Sequence, residues 1–356
     1  MKIKSISLVF LIVLLAGLLS GCTGMPMASS WPGVTSESDM IYVSFNSFVH
    51  AVNGDGTVAW VYPAEADRNR VFYAAPAVMG DQVFVGDFKN VFYSLNRQTG
   101  AENWTFAEAK DRYIGKPLAI ETEGLVLAPN ADHNLYALNG SGQLQWKFTT
   151  GDPIWAQPVT DGERAYAASM DGYLYAINLK DGSQAWSTNL EAAVVYSLAF
   201  SEGGTHLYAG TLGNEMVSVD AQTGTIAWRQ ATEGGVWGRA VLHDDLLIFG
   251  DEAGKIYALN AADGAQRWTV DAGGSIISSG AVMGEQAIAF PTEDAGVVAV
   301  DFSGAKLWTQ PVNGKLYSNP VYTGDRLVVP VTQGEENLLM VALNANGTQA
   351  WAYNQP

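Results

Sequence analysis

Residues 154–190 alternate short apolar or β-branched runs with Gly and Asp turns: IWAQPVTD, DGER, AYAASM, DG, YLYAIN, LKDG and SQAWSTNL. Runs this short, bounded by turn residues, predict successive antiparallel hairpins, four strands in this stretch. No ten-residue window after the first 21 residues carries a helical period.

The same pattern returns along the whole chain, and tryptophan marks its period. Trp60, Trp104, Trp146, Trp186, Trp228, Trp268, Trp308 and Trp351 are separated by 40 to 44 residues. Each is the fourth residue after a Gly, in stretches such as VNGDGTVAW (52–60) and LNANGTQAW (343–351). Eight copies of a four-strand unit of about 40 residues predict an all-β, eight-bladed β-propeller over residues 31–356. Neighbouring blades diverge from the axis, so the outer fourth strand needs a large flat side chain to fill the wedge. The eight Trp are therefore assigned to structure, and the Gly to turns of positive φ. Counting strands gives a first blade from Trp31 to about Tyr62 and an eighth from about Leu316 to Tyr353, each from contiguous sequence.

The N-terminus adds a different segment. MKIK is followed by ISLVFLIVLLAGLLS and then Gly21-Cys22, which predicts a secretory signal over 1–21 with a bacterial lipobox. Cys22 is the expected lipid attachment site, and 22–30 a short tether. It is also the chain's one cysteine, so no intramolecular disulfide can form. Without Lys2 and Lys4 the chain has 17 basic against 36 acidic residues, a formal charge of −19. So acidic a body repels nucleic acid and anionic head groups, and membrane contact is expected through the lipid alone. A closed propeller leaves few free strand edges, so a monomer is expected.

The stretches Leu135–Asn139 (LYALN), Leu174–Asn178 (LYAIN) and Ile256–Asn260 (IYALN), each leading through a Gly turn to Trp, resemble the repeats of the pyrroloquinoline-quinone-like propellers. A lipobox ahead of eight such repeats most resembles the BamB family of lipoproteins. That resemblance implies a non-enzymatic protein-interaction scaffold in the bacterial envelope, partnered with the machinery that inserts outer-membrane β-barrels. The alternative is a quinone-dependent dehydrogenase or a small-ligand sensor. Quinoprotein relatives commonly hold their quinone between a Trp and a disulfide of adjacent cysteines, which this chain cannot make.

No catalytic constellation, metal site or resident cofactor is expected from the residues. His50, His133, His206 and His243 stand singly in different units, at no metal-ligand spacing. The acidic pairs Asp244-Asp245, Asp251-Glu252, Glu293-Asp294 and Glu335-Glu336 fall in turns.

The first strand of each blade should line the channel. Aligned on the Pro position, these stretches are FYAAP (72–76), YIGKP (113–117), IWAQP (154–158), VVYSL (194–198), VWGRA (236–240), IISSG (276–280) and LYSNP (316–320). Alternation places their second and fourth residues on one side. The candidate funnel is Tyr73, Lys116, Trp155, Gln157, Trp237, Arg239, Tyr317 and Asn319. Two readings stand: packing between inner strands, or a funnel holding a peptide segment or small anion, with Tyr and Trp as amphipathic anchors. Asp87, Asp132, Asp171, Asp251 and Glu293 should decorate the same face and favour basic or polar partners.

Overall fold

The computed structural model describes residues 31–355 apart from 68, 202 and 295; the expected signal segment, Cys22 and the expected tether lie outside the described residues. Eight four-stranded antiparallel sheets form the molecule. The first blade comprises β1 (Gly33–Glu37), β2 (Met40–Phe45), β3 (Phe48–Asn53) and β4 (Val58–Tyr62). The others occupy 77–106, 118–149, 159–189, 199–231, 241–271, 281–310 and 321–354, each from consecutive strands. The helical elements among the described residues are two single 3-10 turns, Glu121–Glu123 and Glu335–Asn337.

Burial explains the pattern along each repeat. The second and third strands lie between two neighbouring sheets, so both faces are covered and nearly every residue is apolar. Ile41, Tyr42, Val43, Val49, Ala51 and Val52 are wholly buried. The fourth strand lies at the rim and exposes most of its positions, as in Gln184–Asn189.

All eight repeat tryptophans join one blade to the next. Each indole N–H donates to a backbone carbonyl of the following unit, from Trp60 to Arg97 through Trp308 to Ala345, at 2.7–3.2 Å. Trp351 donates to Gly54 and closes the ring. On its own sheet each Trp faces Ala or Ser on the third strand, as in Ala51 opposite Trp60 and Ser94 opposite Trp104.

The Gly four places before a Trp does have positive φ, but it also serves a second purpose. Its surface lies against the Trp of the preceding blade: a Cβ on Gly100 (φ +71°) would stand 2.6 Å from the Trp60 ring. The repeat Trp are less deeply buried than wedges would require. Trp60 and Trp146 are buried, while the other six are half-buried, one face on glycine and one edge to solvent.

One sequence expectation needs correction. The stretches 72–76 to 316–320 are irregular, and the first strands begin after them and run only two or three residues, as in Val159–Thr160. Near the axis the segments crowd together, and their hydrogen bonds go to both neighbouring blades. Tyr113 N, Ile154 N, Val236 N and Ile276 N donate to the Asp87, Asn130, Thr211 and Asp251 carbonyls of the preceding blade, and other groups bond to the next blade's segment. Gln157 N donates to Tyr196 O at 2.6 Å, Arg239 N to Ser279 Oγ at 2.7 Å and Ser279 N to Asn319 Oδ1 at 2.8 Å. Gly115 and Gly238 allow this approach: a Cβ there would lie 2.6 Å from Trp155 O and 2.3 Å from Ser278 O.

Candidate functional site

The inner segments enclose an axial cavity of about 400 Å³. Tyr73, Lys116, Trp155, Gln157, Trp237, Tyr317 and Asn319 all line it, so seven of the eight expected funnel residues meet there. Arg239, the eighth, is exposed beside the wall, and its charge acts on Lys116 and Tyr196. All seven second residues line the cavity, but so do Ala74, Tyr196 and Ser318 from the third position, so alternation holds only in part.

Aromatic rings form the mouth. Trp31 packs against Tyr73 (5.7 Å between ring centres) and Tyr317 (5.1 Å), while Tyr73 stacks on Phe88 at 5.5 Å. The guanidinium of Arg112 stands over the other side of this cluster, 5.5 Å from the Phe88 ring centre. Ile114, Val195 and Ile277 supply apolar wall. Trp237 directs its N–H to Glu252 Oε2 at 3.3 Å, whereas the buried Trp155 Nε1 has no acceptor.

Burial and mutual charge tune the titratable groups. Burial, then the Arg239 charge, brings the Lys116 ammonium down to about 8. Burial raises the Tyr196 hydroxyl to about 12 against the opposing effects of Arg239 and the Asn319 amide. Burial likewise raises Tyr73.

Two expectations change. Gln157 and Asn319 are partly committed to the ring, Gln157 donating its side-chain N–H to Pro117 O at 3.2 Å and Asn319 accepting from Ser279. Nor are four of the five acidic residues free to decorate the face. Asp87 is 1% exposed and accepts from Lys89 N, Val91 N and the Tyr93 hydroxyl at 2.8–2.9 Å. Asp132, Asp171 and Asp251 bind turn amides and the hydroxyls of Tyr136, Tyr175 and Tyr257 in the same way. They fasten turns to third strands; Glu293 is half-buried.

Trp31, Phe88, Arg112 and Tyr196 belong to the cavity and were missed. Tyr196 had a signal: it stands third in its segment, where the other six have Ala74, Gly115, Ala156, Gly238, Ser278 and Ser318. Trp31 falls outside the rim period and precedes strand β1 as the inner segments precede theirs. Arg112 carried no periodic mark.

A closed ring of eight such sheets with an axial cavity defines an eight-bladed propeller of pyrroloquinoline-quinone-like repeats. The family model described as outer membrane protein assembly factor BamB matches residues 25–153, 131–270, 172–301 and 252–356, and the chain belongs to that family. Among curated proteins, BamB of Yersinia pestis is 27% identical over 124 residues, 32% of each chain. The putative dehydrogenase XoxF of Paracoccus denitrificans is also 27% identical, over 37% of this chain and 25% of its own. This chain therefore matches a third or less of the length of either relative. The crystal structure of BamB from Moraxella catarrhalis superimposes with a TM-score of 0.72 at 18% identity, covering 87% of this chain and 95% of that one.

Proposed function

We propose that the protein is a non-catalytic scaffold of the bacterial envelope, lipid-anchored at Cys22, that acts by protein contact in outer-membrane β-barrel assembly. The family match along the full ring carries this reading. Affinity capture from detergent-solubilised membranes tests it: the outer-membrane insertase should co-purify with the wild type. Cys22→Ser should leave the membrane fraction, and recovery of wild type without any insertase would refute the assembly role.

The quinone-dependent alternative fits the residues poorly. Among the described residues that line the cavity there is no carboxylate to bind calcium, and the chain has no cysteine pair to cover a quinone. Nor is any group of three His, Cys, Asp or Glu among the described residues placed to hold a metal ion.

A further inference from the structure

The chain has 36 acidic residues, and none of those described lines the axial cavity, whereas Arg112 and Lys116 do and Arg239 opens beside them. Among the described residues, none of these three cations has an ion-pair partner. The Trp155 N–H in the same wall is buried and also unpaired. At the site's edge Glu252 is engaged with the Trp237 N–H and Asp111 with the Arg112 backbone N–H. A half-buried cation without a counter-charge and a buried donor without an acceptor are both costly, so an anion bound beside Lys116 and Trp155 would relieve both. The rest of the wall is apolar or aromatic, the surface that receives a flat hydrophobic body. A cavity near 400 Å³ is the size of a site for one compact molecule.

We infer that the axial cavity binds a small free organic carboxylate with a flat apolar body, its oxygens held by Lys116 and Arg239 and its ring against the aromatic wall. This uses the cavity alone and holds whether or not the chain is lipidated or joins β-barrel assembly. Below pH 8 Lys116 remains largely charged, so the site is ready at neutral pH and weakens as pH rises through that value.

Calorimetric titration of the whole mature protein tests it, with naphthoate, neutral naphthamide and a tripeptide ending in a free tryptophan carboxylate as probes. Naphthoate should bind about tenfold or more tighter than naphthamide, consistent with charge-assisted hydrogen bonds. Lys116→Gln and Arg239→Gln should each lose about that factor, Lys116→Arg should retain binding, and thermal melts of each variant establish that it is folded. Equal affinity for acid and amide, no heat with naphthoate at millimolar concentration, or unchanged affinity in folded Lys116→Gln overturns the site. Tripeptide binding tighter than naphthoate overturns the assignment to a free acid.

Discussion

Trp351 in the last blade donates its indole N–H to the Gly54 carbonyl in the first at 3.1 Å, and its ring lies against Gly56. Closure therefore repeats the internal joint. The seam adds a bond between the Tyr353 hydroxyl and His50 Nδ1 at 3.0 Å, a bond from Thr323 Oγ1 to Ser38 O at 2.9 Å, and a shared core of Val34, Ile41, Val328 and Met340.

Trp351→Ala removes a half-buried ring and one hydrogen bond. It should cost about 3 kcal/mol, the low end for Trp-to-Ala truncation in a core. Trp186→Ala, at an internal joint, should cost a similar amount in urea unfolding. A loss below about 1 kcal/mol for Trp351→Ala alone would mean that the seam is held mainly by its other contacts.

Gly100→Ala and Gly80→Ala separate backbone strain from crowding. Both glycines have positive φ, but a Cβ added to Gly80 would have nothing within 4 Å, while one on Gly100 would meet the Trp60 ring at 2.6 Å. Gly80→Ala should cost about 1 kcal/mol, the strain of the backbone alone. Gly100→Ala should cost a further 1–3 kcal/mol or so from overpacking. Equal denaturation midpoints would dismiss the glycine–indole contact.

His50 makes the seam acid-sensitive. It is 1% exposed, and burial lowers its imidazole to about 4 from 6.5. Between those values the unfolded chain binds a proton that the folded chain refuses, so stability is lost as pH falls from 6.5 towards 4. His50→Gln should reduce the slope of stability against pH in this window by up to about 1.4 kcal/mol per pH unit. Identical slopes in parallel denaturation series would show that His50 does not contribute.

Trp155→Ala with Trp237→Ala should weaken naphthoate binding about fivefold or more, because both rings line the cavity and neither forms a rim joint. The melting temperature should fall by no more than about 3 °C. A large fall with naphthoate binding intact would assign the pair to packing instead.

The architecture was legible because a propeller writes its period into the chain. Trp at the rim, Gly in the turn before it and small residues opposite recur because each joint poses the same steric problem. The cavity was legible in part, since positions facing the axis depart from the common pattern: Trp155, Trp237, Lys116 and Arg239. What sequence could not give was partnership. The inner segments read as strands because their second residues all face the axis, yet their hydrogen bonds run to the neighbouring blades on either side. Asp87 and Asp251 read as solvated turn acids until Tyr93 and Tyr257 are seen to cover them. Trp31 gained its place only when the residue ahead of the first blade met Tyr317 from the last.

Because each repeat supplies an indole to the unit after it and a glycine to the unit before it, every boundary in the circle is chemically interchangeable. A gene growing by copying one such module would acquire a finished joint with each addition. Only the angle at which neighbours meet would then decide when the circle is full.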